Sequence, residues 1–224
     1  LEAYATYCDY SLHMRMTEEL IRSIARDVLN TDKIVFGDKE IELSQPFKVL
    51  SLADTLKDEF GIAYEDSQDV FIDKMKDKLA IKGNLSRMQI LNLIEDLIEE
   101  KFFGTSPIFV TDYYTWMSPL AKARKDNPYI AERFELFIAG MEVANAYSEL
   151  NDPIEQKERL LGKLKTEEEL PKKLDEDFIE ALEYGMPPAA GLGIGIDRMI
   201  MLLLNKTSIK EVILFPLLRP EAEQ

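Results

Sequence analysis

The chain of 224 residues is 46% hydrophobic and 31% charged, a composition typical of a globular protein that buries a sizeable core. Its formal net charge of −15 argues against a broad nucleic-acid-binding face, which needs clustered Lys and Arg to neutralise phosphates. The single cysteine, Cys8, rules out an internal disulfide and, with no apolar stretch long enough to span a membrane, predicts a protein of the reducing cytoplasm.

The first part of the chain predicts a strand, a helix and a hairpin. The alternating, Tyr-rich stretch Leu1–Tyr10 favours a strand. Apolar residues recur at helical spacing over Thr17–Leu29, and Ile34–Ile41 has the pattern of a hairpin that turns at Gly37. Because the chain begins with Leu1 rather than Met and enters a strand at once, we expect it to be part of a longer protein.

A charged helical block follows over residues 51–105. Its apolar residues lie on one helical face, and its many carboxylates are explained most simply as a solvated helix surface. Strand character returns at Pro107–Thr111. We therefore interpret the block as a helical insertion between strands.

The second half predicts strand pairs interrupted by helices, without strict βαβ alternation. Such an order indicates an α+β domain built on an antiparallel sheet flanked by helices. The predicted strands are Phe134–Ile138 and Val143–Leu150 around an Ala139-Gly140 turn, Gly191–Ile196 (a buried strand or a tight loop) and a last strand at Val212–Phe215; the predicted helices are Asp152–Leu164, Asp175–Tyr184 and Arg198–Leu204.

Polar side chains recur at every second position of two predicted strands. Asn145, Tyr147 and Glu149 share one strand face, and Glu2 and Tyr4 repeat the carboxylate and phenol on another strand. Turned inward, two such strands would form a pocket for a cationic group such as a lysine ammonium, which needs opposite charge and acceptors once it leaves water. The alternative is that this face meets solvent, as one face of an antiparallel sheet often does.

Two further carboxylates bracket the predicted Ala139-Gly140 turn. Glu135 and Glu142 could approach one another across the hairpin and form the hard oxygen site that Mg²⁺ uses beside substrate phosphates. The simpler alternative is a pair of exposed strand carboxylates.

The glycines near the C-terminus are spaced Gly-x-Gly-x-Gly and are followed by Arg198. Too little chain follows them for the βαβ unit of a dinucleotide fold. Gly193 and Gly195 could let the backbone lie close to a base, while Arg198 could contact a ring face or a phosphate. A purely structural strand-to-helix turn is the alternative.

These segments resemble the class II lysyl-tRNA synthetases. The resemblance to the closing strand of class motif 2 lies in Leu1–Tyr10, and the resemblance to motif 3 runs from Gly191 to Pro216. Residues 118–122, 145–153 and 185–188 narrow the match to the lysine enzymes. It covers nearly the whole chain and is loosest in the helical block.

The resemblance implies the C-terminal part of a catalytic domain, with a six-stranded antiparallel sheet and a helical insertion. It assigns lysine binding to Glu2, Tyr4, Asn145, Tyr147 and Glu149; Mg²⁺ binding to Glu135 and Glu142; and ATP binding to Gly193, Gly195 and Arg198, with Arg198 also contributing to catalysis. It implies lysine, ATP and tRNA(Lys) as partners and a homodimer in the full-length protein.

Motif 1 and the first strand of motif 2 are absent from these residues, so we expect the isolated chain to be inactive. Three alternatives remain open: a paralogue that transfers lysine to a protein, a scaffold fragment without activity, and an aspartate- or asparagine-specific relative. The last is disfavoured because a carboxylate substrate would require a basic residue where Glu149 stands.

Overall fold

The computed structural model describes residues 1–81, 83, 85, 89–90, 92–94, 96–97, 106–166 and 174–216. The strands are β1 Glu2–Thr6, β2 Lys33–Phe36, β3 Lys39–Glu42, β4 Lys48–Ser51, β5 Ile108–Thr111, β6 Arg133–Ile138, β7 Met141–Ser148 and β8 Ala189–Ile194. Six of them form one sheet, in the order β1-β8-β7-β6-β5-β4, and β2 and β3 form a separate hairpin.

The helices begin and end at residues that cap them. The Asp9 side chain accepts a hydrogen bond from the Ser11 backbone N–H at the start of the longest helix, and Asn30 ends that helix in the left-handed conformation. Within the described ranges, no helix combines the length and apolar character needed to cross a bilayer. The helices are α1 Tyr10–Leu29, α2 Leu52–Phe60, α3 Gln68–Leu79, α4 Pro153–Thr166, α5 Glu176–Glu183 and α6 Ile196–Leu203.

The predicted α+β class is confirmed, and the sheet is antiparallel except for one pair. Strands β4 and β5 run parallel, so the chain between them must cross over the sheet. The helices α2 and α3 lie in this crossover, which contains most of the predicted 51–105 block. Its end, at residues 98–105, lies outside the described residues.

Two apolar clusters cover opposite faces of the sheet. On one face, Ile21 and Ala25 of α1 belong to the cluster that contains Ala144, Ala146 and Leu192 of the central strands. Since side chains alternate along a strand, Asn145 and Tyr147 must point to the other face. The α1 face is therefore the hydrophobic core, and it leaves the opposite face of β7 free for polar groups.

The second cluster packs on the polar face, at the edge of the sheet away from β1. It joins Val110 and Phe137 of the sheet to Leu56 and Phe71 of the crossover helices. Val110 pairs directly with Glu135, so this cluster borders the row of polar side chains. The crossover helices therefore pack on the same face of the sheet as Glu135.

A β-bulge in β7 changes which face its first residues occupy. Leu136 pairs with Ala144 but Phe137 pairs with Glu142, which leaves Val143 as the extra residue. Val143 joins the core cluster with Ala144, and Glu142 comes to lie opposite Phe137 on the polar face. With strict alternation, Glu142 would instead have pointed into the core.

The predicted last strand at Val212–Phe215 is wrong. These residues form a turn and bends after α6, and Leu214 and Phe215 are 89% and 91% exposed. The sixth strand of the sheet is β4, which is not among the predicted strands. The apolar composition of residues 212–215 resembles a buried strand, but no neighbouring strand pairs with them in the described part of the chain.

Replacing Phe134 with Ala tests the core between α1 and the sheet. Phe134 is fully buried and packs edge-on against Phe109, with ring centroids 5.0 Å apart. We expect a loss of about 3–5 kcal/mol in the free energy of unfolding from the transfer and cavity terms. Urea denaturation measures it, with Val28→Ala at an exposed position of α1 as the control; equal midpoints for the two variants would contradict this packing.

Candidate active site

Four neighbouring strands place the predicted polar residues in rows across the sheet. In the first row, Glu2 of β1 pairs with Gly193 of β8, Gly193 with Asn145 of β7, and Asn145 with Glu135 of β6. Directly paired residues point to the same face of a sheet. The structure therefore brings these residues, predicted from separate segments, onto one surface.

The second row crosses the same strands two residues further along. Tyr4 pairs with Gly191, Gly191 with Tyr147, and Tyr147 with Arg133. A Cβ on Gly191 would overlap the Glu149 carboxylate and would lie 2.8 Å from Cε1 of Tyr4. The Glu149 carboxylate and the Tyr4 ring therefore occupy the space directly above Gly191, and they meet there only because this residue has no side chain.

Glu149 extends from the end of β7 toward this glycine. It is half-buried, its backbone N–H donates to Ala189 O at 2.8 Å, and burial raises the pKa of its carboxyl to about 7. No cation in the described part of the chain forms an ion pair with it. A half-buried carboxylate that lacks such an ion pair favours binding of a positively charged group, which would compensate for the lost hydration.

The two phenols of the second row lie in the field of these acids. Burial raises the pKa of Tyr4, and Glu2 and Glu149 raise it further. Burial also raises the pKa of Tyr147, with smaller contributions from Glu149, Tyr4 and Glu2. The acids predicted at positions 2 and 149 thus act on the same phenol from different strands.

The polar face is partly exposed to solvent. Asn145, Tyr147 and Glu149 are half-buried, whereas Glu2 is exposed and Tyr4 is 69% exposed on the edge strand. The predicted pocket is consequently an open groove in this structure. A cavity of about 570 Å³ adjoins its Glu149 end.

The two predicted metal carboxylates lie on this face but bond to protein groups. Glu135 accepts a hydrogen bond from the Tyr113 hydroxyl at 2.6 Å and pairs with Arg133, and Glu142 pairs with Arg198 at 3.1 Å. Burial raises the pKa of Glu142, and the charge of Glu135 raises it further. The charges of the two acids thus act on one another from the same face, and we refer to Glu135 and Glu142 as the acid pair.

Two carboxylates do not complete a metal site. No group of three or more Asp, Glu, His or Cys residues arranged to hold a metal occurs among the residues that the structure describes. The hard oxygens of Glu135 and Glu142 match the preference of Mg²⁺, which commonly uses one or two carboxylates together with substrate phosphates and water. The residues fit this ion only if another molecule supplies the remaining oxygens.

The glycine run divides into a strand and a helix cap. Gly193 lies on β8, and Gly195 caps the N-terminus of α6, where its N–H donates to Val143 O at 2.9 Å. Arg198, in the first turn of α6, donates from Nη1 to Glu142 O at 2.8 Å. The run therefore places Arg198 beside the acid pair.

Sequence reasoning missed Arg133 and Tyr113. Arg133 bonds to Asn145, Ser118 and Glu135, and its guanidinium lies 4.6 Å from the centre of the Tyr113 ring. The predicted strand began at Phe134, one residue too late. Extending the alternation back by one residue would have placed Arg133 on the face of Glu135. No sequence pattern indicated Tyr113, because it lies in a loop that only the folded chain brings next to Glu135.

Comparison with known proteins identifies relatives of the whole chain. The family model described as tRNA synthetases class II (D, K and N) matches residues 1–219. A lysine–tRNA ligase of Thermoanaerobacter sp. (strain X514) is 44% identical over 99% of this chain, and one of Pelotomaculum thermopropionicum is 45% identical over 98%. A lysine–tRNA ligase of Porphyromonas gingivalis is 42% identical over 99% of this chain.

These relatives are longer than the chain. It covers 45% of the Thermoanaerobacter and Pelotomaculum proteins and 39% of the Porphyromonas protein. The chain thus spans less than half the length of the curated relatives it matches.

Glu149→Gln tests the desolvation of this carboxyl through stability. Its folded pKa of about 7 exceeds the ordinary 4.5, so the folded state retains a proton that the unfolded state loses, and stability falls as pH rises from 4.5 to 7. The variant removes this loss. We expect no difference from the parent near pH 4 and a gain of about 1–2 kcal/mol at pH 8, a range reduced for solvent screening of a half-buried group.

Urea unfolding at both pH values measures the difference. Glu132→Gln serves as the control, since Glu132 lies in the wall of the adjoining cavity and the same change there leaves the Glu149 carboxyl in place. A Glu149→Gln variant that is less stable than the parent at pH 8 would contradict the desolvation of this carboxyl.

Proposed function

The chain belongs to the class II tRNA synthetases of the D, K and N group, and we propose on this premise that it is the C-terminal part of the catalytic domain of a lysine–tRNA ligase. The complete protein would activate lysine with ATP and transfer it to tRNA(Lys), as a cytoplasmic homodimer. The net charge of −15 is compatible with tRNA contacts made mainly by the rest of such a protein.

The observation that carries the proposal is the meeting of Glu149 and Tyr4 above Gly191. Both side chains occupy the space that a Cβ would fill, and Glu2 contributes a further negative charge to Tyr4. An ammonium group bound there would gain a carboxylate and a phenolic oxygen as acceptors, and it would return the half-buried Glu149 to its charged form. A substrate with a side-chain carboxylate would be repelled.

The nucleotide would bind beside Arg198 and the acid pair. Arg198 would leave Glu142 and direct its guanidinium to a phosphate, and Glu135 and Glu142 would hold Mg²⁺ together with phosphate oxygens. When bound, Mg²⁺ would supply charge neutralisation and orientation of the phosphates. Gly193 and Gly195 would let the adenosine end approach the backbone.

Positioning would account for most of the catalysis. The groove would hold the carboxylate of lysine in line with the α-phosphate of ATP, which gives lysyl-adenylate and pyrophosphate, and the lysyl group would then pass to the terminal ribose of the tRNA. No side chain needs to act as a general acid or base in the first step. Arg198 would stabilise the charge that develops on the transferred phosphate.

The alternatives make different predictions about ligands and acceptors. A paralogue that modifies a protein would share the lysine and ATP sites and differ in its acceptor. A scaffold fragment would keep the fold without ligand affinity. The 42–45% identity to lysine–tRNA ligases over nearly the whole chain, together with Glu149 in the groove, favours the lysine enzyme over its aspartate and asparagine relatives.

Isothermal calorimetry of the chain with lysine tests the proposal directly. We expect lysine to bind, and we expect norleucine, which is lysine without its side-chain ammonium, and the acidic glutamate to bind at least about tenfold more weakly, since neither supplies a side-chain cation to Glu149. Equal affinity for lysine and norleucine would refute the assignment. Lysine-dependent ATP–pyrophosphate exchange should be absent in the isolated chain and present in the full-length protein.

Replacing each of two glycines of β8 with Ala tests whether the ammonium of lysine binds above Gly191. Gly191→Ala should weaken lysine binding by at least about tenfold, because the new Cβ displaces Glu149 and Tyr4. Gly193→Ala meets only Asn145 O at 3.8 Å, an ordinary contact, and serves as the matched control for adding a methyl to this strand. Calorimetry measures both; an equal loss would contradict the proposed position of the ammonium.

A further inference from the structure

Arg133 is held rigidly at the centre of the polar face. Its Nε donates to Asn145 Oδ1 at 3.3 Å, its Nη1 donates to Ser118 Oγ at 2.8 Å, and its Nη2 bonds to Glu135. The side chain is 16% exposed, and the guanidinium stacks on Tyr113. With every nitrogen bonded and one face covered, this guanidinium has a single orientation.

The bond to Asn145 determines which end of the Asn145 amide faces the groove. A guanidinium has only donors, so the atom of Asn145 that faces it must be the carbonyl oxygen. The NH₂ group then points the other way, and it has no hydrogen-bond partner among residues 1–81, 106–166 and 174–216 or the shorter described segments. Asn145 thus presents two donors at a half-buried position.

We propose that Arg133 is a positioning residue that fixes the Asn145 amide, so that its NH₂ group donates to the carboxylate of the bound amino acid. The proposal rests on the proposed function, because it assumes that an amino acid occupies the groove. It assigns Arg133 an indirect effect on the substrate. Without Arg133, the amide is free to turn its oxygen toward the ligand, where it would repel a carboxylate.

The arrangement would make the two ends of the groove bind groups of opposite charge. Glu149 lies at the end that accepts hydrogen bonds from a cation, and Asn145 lies one row nearer to Arg198 and the acid pair. An amino acid with its ammonium at Glu149 would therefore have its carboxylate on the side where the nucleotide is proposed to bind. Arg133 also neutralises Glu135, which lies beside Asn145 in the first row and would otherwise oppose a second carboxylate.

Comparing lysine with 1,5-diaminopentane, which is lysine without its carboxylate, tests the proposal by calorimetry. In Arg133→Met, we expect the affinity for lysine to fall by about tenfold and the affinity for the diamine to change by less than about twofold. Arg133→Lys, which keeps a donor-only side chain, should recover much of the loss. Glu149→Gln is the matched control, because it removes the cation partner and should weaken both ligands.

Asn145→Asp provides an independent variant if Arg133→Met does not fold. Aspartate is nearly isosteric with asparagine and still accepts the bond from Arg133, but it presents an oxygen to the groove. It should weaken lysine binding and leave diamine binding equal or tighter. Circular dichroism of each variant verifies the fold before binding is measured.

The outcomes separate this inference from the proposed function. Equal losses of lysine and diamine in Arg133→Met, or unchanged lysine affinity in both variants, would overturn the positioning role while lysine binding by the parent chain stands. If the parent chain binds neither compound, the proposed function fails, and this inference fails with it.

Discussion

The site depends on the absence of a side chain at one position of β8, the strand between β1 and β7. Gly191 pairs with Tyr4 on one side and with Tyr147 on the other, and the Glu149 carboxylate and the Tyr4 ring fill the space that its Cβ would take. A glycine in a strand interior costs conformational entropy and forgoes packing. Here it lets Tyr4 of β1 and Glu149, which follows β7, converge, and the α1 cluster on the opposite face provides the packing that holds the strands in place.

Charge on the polar face is balanced locally by two arginines. Arg133 pairs with Glu135, and Arg198 pairs with Glu142, whereas Glu149 has no such partner among the described residues. The bulge at Val143 is what brings Glu142 to this face beside Glu135. The groove thus has one unneutralised, half-buried carboxylate, and it lies where the family resemblance places the ammonium of lysine.

The sequence predicted the residues of this face better than the contacts among them. The two-residue spacing of Asn145, Tyr147 and Glu149 follows from strand geometry alone, and it survives because β7 is regular over those positions. Glu142 was placed on the correct hairpin, but its position depends on a bulge, which shifts the register without a sequence signal of its own. Arg133 was missed because the strand boundary was set one residue late. A strand was wrongly predicted at Val212–Phe215 because these residues have the composition of a buried segment. Composition alone does not indicate whether a neighbouring strand pairs with them.

Proton release on lysine binding tests the central claim most directly. If an ammonium binds at Glu149, the pKa of about 7 that this carboxyl has in the free chain must fall, so binding at a pH slightly below 7 should expel a proton. Calorimetry of lysine binding at pH 6.5 in buffers of different ionisation enthalpy measures the number of protons released per lysine bound. The account predicts a release of up to about three-quarters of a proton per lysine, the fraction of Glu149 that is protonated at this pH, and none in Glu149→Gln. Lysine binding without proton release in the parent chain would contradict it.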